Sequence, residues 1–182
     1  MKQAQFQKSV CVFCGAQDGD SENYKKEAFE LGGLLARMNH RLVYGGGMAG
    51  LMGAAANGAL ASNGVVFGVL PKLLADLEVG HTGIQTLMTV DSMAERKHIL
   101  LRESDVFVIL PGGLGTLDEL FEVLTANTLG FMSKPVIILN SGGYFTELLS
   151  WLDTIAARKF SRNPTELYSV ASDLKQLEHL LT

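Results

Sequence analysis

Two glycine-rich segments are the first places where residue types and spacing suggest chemistry. Gly45-Gly46-Gly47-Met48-Ala49-Gly50 follows a short apolar run. Pro111-Gly112-Gly113-Leu114-Gly115-Thr116 follows another. A glycine loop that opens a helix lets main-chain N–H groups crowd around an anion, and the helix N-terminus adds partial positive charge. Tight strand-to-helix turns would account for one such loop. Two in one sheet point to a ligand that carries phosphate. Neither is followed by Gly-Lys-Ser/Thr. No G-x-G-x-x-G follows the first strand, where Cys14-Gly15-Ala16-Gln17 stands instead.

Carboxylates accompany the second loop. Asp118, Glu119 and Glu122 fall within the next two turns. Glu119 and Glu122, three apart, share a helix face. Thr116 and Glu119 also have the spacing of a capping box, which gives Glu119 a structural alternative. A solvated surface charge is the alternative for Glu122. A carboxylate one turn from a bound phosphate suits chemistry on the attached sugar, where it would stabilise oxocarbenium-like charge or activate water. Arg96, in Met93-Ala94-Glu95-Arg96-Lys97, supplies a guanidinium that would orient a phosphate, ribose or carboxylate, unless it is an ordinary surface ion pair.

The elements that must position these groups alternate along the chain. Strands are expected at Ser9–Cys14, Arg41–Tyr44, Val65–Leu70 (ended by Pro71), Gln85–Thr89, Val106–Leu110 and Pro135–Leu139, with a short one near Leu167–Val170. Helices are expected at Ser21–Met38, Leu51–Ser62, Ser92–Ser104, Thr116–Leu129, Tyr144–Lys159 and Asp173–Leu181, and a surface loop at Lys72–Gly83. Ser92 and Glu95 have capping-box spacing, and Gly130 is expected to close its helix. The strands are continuous apolar runs, as in a parallel sheet covered on both faces. The expected fold is α/β: one doubly wound, mainly parallel, Rossmann-like nucleotide-binding domain over residues 1–182, helices on both faces. Its ligands would lie beyond the carboxyl ends of the strands.

Composition narrows the function. Of 182 residues, 15 are Lys or Arg and 19 are Asp or Glu, a net charge of −4. No excess of positive charge exists to neutralise a nucleic-acid backbone or bind a membrane surface. The uncharged stretch Leu42–Pro71 is broken by eight glycines, unlike a lipid-facing span of about 20 apolar residues. The first residues carry no apolar run of signal-peptide length, so a cytoplasmic location is expected. Cys11 and Cys14 form C-x-x-C, but on a strand positions three apart point to opposite faces, against a redox pair. The four histidines are scattered, and no metal site is expected.

Pro111-Gly112-Gly113-Leu114-Gly115-Thr116-Leu117-Asp118-Glu119 resembles the PGGxGTxxE motif of the LONELY GUY family, cytokinin riboside 5′-monophosphate phosphoribohydrolases often labelled lysine decarboxylases. Val10–Gly15, Leu42–Gly47 with Gly50–Gly53, and Asp91–Lys97 resemble further family segments, so the likeness spans almost the whole chain. It implies hydrolysis of the N-glycosidic bond of a nucleoside 5′-monophosphate, a cytokinin riboside monophosphate or one like AMP, to free base and ribose 5-phosphate. It implies Arg96 and Glu119 as the catalytic pair. The 5′-phosphate would be held by Gly112, Gly113, Leu114, Gly115 and Thr116. Gly45, Gly46, Gly47, Lys97 and Glu122 would complete the site, with Cys14-Gly15-Ala16 along the nucleotide. No cofactor is implied, and the protein is expected to be a homodimer, with apolar surface on helix Leu51–Ser62 and at Phe131-Met132. Ala94 stands where the family has His, and Ala126 and Thr128 where it has Trp and Gln. A decarboxylase would need a Schiff-base lysine, for which Lys97 is the only candidate nearby. The competing reading is a non-catalytic nucleotide- or cofactor-binding module on the same fold.

Overall fold

In the computed structural model, which describes residues 6–75, 80–163 and 166–182, seven parallel strands form one sheet in the order β4-β3-β2-β1-β5-β6-β7. The strands are β1 Ser9–Phe13, β2 Arg41–Tyr44, β3 Val66–Pro71, β4 Thr86–Val90, β5 Val106–Ile109, β6 Val136–Leu139 and β7 Ser169–Ala171. The helices are α1 Glu22–Arg37, α2 Gly50–Ala61, α3 Lys72–Ala75, α4 Met93–Arg102, α5 Leu114–Thr128, α6 Thr146–Ala157 and α7 Leu174–Leu181.

The alternation of side chains along each strand builds two cores. Val10, Val12, Leu42, Tyr44, Val106, Val108 and Leu110 pack toward α1, α2 and α7. Cys11, Phe13, Val43, Phe107 and Ile109 pack toward α4 and α5. Both faces of the central strands are therefore dry, which is why those strands read as unbroken apolar runs, while the edge strands β4 and β7 keep exposed residues. Cys11 and Cys14 fall into different cores, and both are free and buried. Burial raises both thiol pKa values, so neither is poised as a thiolate.

Several expectations change. The loop expected at Lys72–Gly83 begins with the helical turn α3, and residues 76–79 lie outside those described. The last long helix starts at Thr146, after a 3-10 turn at Ser141–Gly143. The α5 helix begins at Leu114, two residues before Thr116, because extended Gly113 is its N-cap. Thr116 is buried inside the first turn, so Thr116 and Glu119 are not a capping box. At Ser92 the cap forms, with Ser92 Oγ accepting the Glu95 N–H, while the Glu95 carboxylate reaches one residue past the N-cap to accept the Asp91 N–H. Gly130 (φ 78°) ends α5, with its N–H on Asn127 O and that of Phe131 on Ala126 O.

The apolar surface expected on α2 is already covered within the chain. Leu51, Met52, Ala54, Ala55, Ala56 and Ala59 are buried under α1 and the sheet, whereas Phe131 is 83% exposed. Contact between α1 and α2 is so close that a Cβ on Gly32 would lie 1.9 Å from the Ala55 carbonyl oxygen. Alanine is the better helix former by about 1 kcal/mol, but here the clash decides. Gly32→Ala is expected to lower the unfolding free energy by about 1–3 kcal/mol, read from urea titration of both proteins.

Candidate active site

Strand order reverses at β1, which has β2 on one side and β5 on the other. The loops after β1 and β5 therefore part at the switch point, where an open α/β sheet holds its ligands. They are stitched together below the opening. The Gly15 N–H donates to Pro111 O at 3.0 Å. A Cβ on Gly112 would lie 2.7 Å from Gly15 N and 2.1 Å from Thr116 Oγ1, so this glycine is demanded by close approach. Around the positions a Cβ would take on Gly113 and Gly115, nothing lies within 4 Å. No packing within the chain demands glycine there. Their missing side chains leave the mouth of α5 bare.

That mouth has the donors and the dipole that suit an anion. The ladder of α5 starts with the Leu117 N–H on Gly113 O, and its N-cap glycine supplies no side-chain acceptor. The N–H groups of Leu114, Gly115 and Thr116 precede that ladder and carry the positive end of the helix dipole. The Leu114 side chain is 86% exposed, so its contribution to a ligand would come from its main chain.

One turn further along α5, Glu119 is buried against Arg96 of α4, with Oε1 3.7 Å from Nη1. Arg96 is fixed from behind: Nε donates to Val69 O and Nη2 to Gly45 O, each at 3.2 Å. Only Nη1 faces the carboxylate. A cavity of about 230 Å³ joins these groups to the α5 mouth, lined by Cys14, Gly15, Arg96, Gly113, Thr116 and Glu119 among others. Burial pushes the Glu119 carboxyl up to about 7, opposed by Arg96 and then aided by Asp118. A carboxyl with a raised pKa, a fixed guanidinium and a helix mouth thus share one small chamber.

Other expected site residues lie elsewhere. Gly45, Gly46 and Gly47 are buried and do not line this cavity. The helix they precede has given up two of its first three donors, because Gly15 O accepts the N–H groups of Leu51 (3.0 Å) and Met52 (3.4 Å). Gly45 instead makes room for the guanidinium: a Cβ there would sit 1.9 Å from Arg96 Nη2. Lys97 and Glu122 also stand outside the cavity. Lys97 Nζ pairs with Glu122 Oε2 at 2.9 Å and Asp118 Oδ2 at 3.0 Å, fastening α4 to α5. Ala94 is exposed, and Asn127 bonds to both the N–H and the carbonyl of Lys134.

Sequence reasoning missed Tyr24 and Tyr144, which wall an adjoining cavity of about 540 Å³ that shares Gly15, Ala16 and Gly113 with the first. Asn140-Ser141-Gly142-Gly143, a third glycine-bearing loop after an apolar strand, was the available signal.

The raised Glu119 pKa has a stability consequence. Its folded value of about 7 exceeds the ordinary 4.5. Between these values the folded protein holds the proton more tightly than the unfolded chain does. The contribution is fully present below the unfolded value and is lost as pH rises through the folded one, by about 3 kcal/mol. Glu119→Gln carries no such group. Its stability relative to wild type should therefore improve by about 3 kcal/mol between roughly pH 4.5 and pH 8, measured by urea unfolding across that range.

A family model described as "Possible lysine decarboxylase" matches residues 52–181. A cytokinin riboside 5′-monophosphate phosphoribohydrolase of Rhodococcoides fascians is 44% identical over 154 residues, which are 84% of this chain and 78% of that protein. One from Arabidopsis thaliana is 41% identical over 165 residues, 91% of this chain and 77% of that protein. Among solved structures, a molybdenum cofactor carrier protein of Chlamydomonas reinhardtii superposes with a TM-score of 0.75 over 96% of this chain and 95% of that one. Its identity is 24%, and the likeness is one of fold. The motif around Gly113 and Glu119, the doubly wound sheet and these relatives agree: the chain belongs to the LONELY GUY family, whose model bears the lysine decarboxylase description.

Proposed function

We propose that the protein hydrolyses the N-glycosidic bond of a nucleoside 5′-monophosphate, giving free base and ribose 5-phosphate. The observation that carries this reading is the buried Glu119–Arg96 pair one turn from an uncapped helix mouth. The names of the relatives support the same reaction and point to cytokinin riboside monophosphates.

The N–H groups at the start of α5 hold the phosphate, and Arg96 orients the sugar. As the C1′–N bond breaks, its electron pair leaves with the base and positive charge grows on the ribose. Carboxylate Glu119 stabilises that charge and takes a proton from the attacking water, whose oxygen bonds to C1′; the departing base takes its proton from solvent, and Glu119 returns its own to solvent to close the cycle. A module that only bound nucleotides would have no use for a buried carboxylate at this place. Decarboxylation finds no support in Lys97, whose ammonium is stabilised by Glu122 and Asp118, raising its pKa.

The same reading includes a two-fold dimer in one domain-sized unit. It is supported by exposed Met93, Leu114, Phe121, Leu129, Phe131 and Trp151, carried by α4, α5, α6 and the turn after α5. A dimeric mass by light scattering at micromolar concentration is the expected result. Among the described residues no helix is long and apolar enough to cross a membrane. Two free thiols fit the reducing cytoplasm.

Phosphate dependence tests the site. AMP or isopentenyl-AMP should be cleaved and the matching nucleoside should not, with base and ribose 5-phosphate assayed directly. Comparable turnover of AMP and adenosine would overturn the reading. Because the working form of Glu119 is the anion, activity should rise with pH through an apparent pKa of about 7. Glu119→Gln should cut turnover by about a hundredfold or more and abolish that rise.

A further inference from the structure

The adjoining cavity raises the question of what Tyr144 does, since its ring is 44% exposed yet its hydroxyl makes a well-placed bond. Tyr144 Oη donates to the carbonyl oxygen of Gly112 at 2.8 Å. The Gly112–Gly113 peptide is trans, so its carbonyl and its N–H point in opposite directions. Whatever holds the Gly112 oxygen therefore also aims the Gly113 N–H. The preceding peptide is fixed in the same manner, with Pro111 O accepting from Gly15 N–H at 3.0 Å. The following one is fixed by Leu117 N–H on Gly113 O at 3.1 Å. Tyr144 is the only side chain seen on the middle member of these three peptides among the described residues.

The fold presents this hydroxyl on a rigid arm. Left-handed Gly142 (φ 63°) and Gly143 (φ 77°) turn the chain sharply after β6. Asn140 braces the turn: its carbonyl accepts the Gly143 N–H at 3.2 Å, and Oδ1 accepts the Phe145 N–H at 2.7 Å. Asn140 N–H is itself tied to Ala171 O of β7 at 2.8 Å. The Tyr144 ring is then held edge-on by Tyr24, with centroids 5.8 Å apart, and by Phe145 at 4.9 Å.

We propose that Tyr144 is a positioning residue for phosphate recognition: by holding the Gly112 carbonyl away from the ligand, it keeps the Gly113 N–H directed at the anion bound at the mouth of α5. The proposal rests on the reading that α5 binds the substrate phosphate. It separates Tyr144 from Arg96 and Glu119, which act on the sugar. An exposed hydroxyl-to-carbonyl bond adds little to folding stability, so the effect of losing it falls on the loop and its ligand.

The test is Tyr144→Phe, which keeps the ring and its contacts with Tyr24 and Phe145. Steady-state hydrolysis of AMP and inhibition by ribose 5-phosphate are measured on wild type and variant, with melting temperature and pH profile alongside. KM for AMP and Ki for ribose 5-phosphate should both rise roughly tenfold, as for loss of one aimed donor to an anion. Turnover at saturation should stay within about threefold and the apparent pKa should not move, because the sugar chemistry is untouched. An active variant with wild-type KM and Ki would overturn the role of Tyr144 and leave the phosphate site standing. So would a fall in turnover with KM unchanged. A wild-type protein that neither cleaves AMP nor is inhibited by ribose 5-phosphate would overturn the reading of the site, and this proposal with it.

Discussion

A guanidinium buried at the ends of β2 and β3 sets the terms for much of the structure. An ionised arginine cannot stay in a dry interior without partners for its N–H groups. Arg96 finds two of them in main-chain carbonyls, Val69 O and Gly45 O, and a third direction in Glu119. Carbonyls at strand ends are rigid acceptors, so the charge is held without a second carboxylate to neutralise it. The carboxylate it meets can then remain an active group. The requirement reaches back into sequence at once: Gly45 must lack a side chain, since a Cβ would occupy the place of Nη2.

Holding that pair together also requires that α4 and α5 not slide past each other. Arg96 and Glu119 each have a charged neighbour in sequence, Lys97 and Asp118, and these pair with one another at 3.0 Å. Glu122, one turn on, completes the clasp. Isolated surface ion pairs contribute little stability. This one is largely sheltered at Lys97, whose side chain is 19% exposed, and its value lies in register, because any shift that breaks it also misaligns the buried pair beside it. The cap at Ser92 fixes the start of α4 for the same reason. The net charge of the clasp is negative, and it adds to the burial that keeps the Glu119 proton bound near neutrality.

How much of this could be read from the chain follows from the range of each interaction. Sheet and layers were legible because strands such as Val106–Ile109 are buried on both faces and show it in every residue. Glu119 and Arg96 were legible through their place after strands and their family motif. The start of α5 was misjudged because Thr116 and Glu119 have capping spacing, while the backbone of Gly113 settles the matter two residues earlier. Gly45–Gly47 looked equivalent to Gly112–Gly115, since nothing local says that Gly15, thirty residues away, will take two of the first donors of α2. Apolar α2 suggested an open face for the same reason: its cover, α1, touches it through Gly32 and Gly58 rather than through large side chains. Tyr144 carries no charge and sits far from either motif, so only the folded chain brings it to Gly112.

Glycine is thus used here for three different physical reasons that a sequence writes with one letter. At Gly45 it admits a side chain, at Gly112 it admits a neighbouring strand-end, and at Gly113 and Gly115 it admits nothing belonging to the protein. Only the last kind speaks of a ligand. The distinction matters for a fold shared by phosphoribohydrolases and a cofactor carrier, because fold alone decides no function. An open helix mouth suits an anion whether a protein binds its ligand or cleaves it. What a binder does not need is the next turn of that helix to bury a carboxylate against a fixed guanidinium, at the price of a proton held near neutral pH. Burying such a group unfavourably makes sense where positive charge appears transiently beside it, and a sugar losing its base is where that happens.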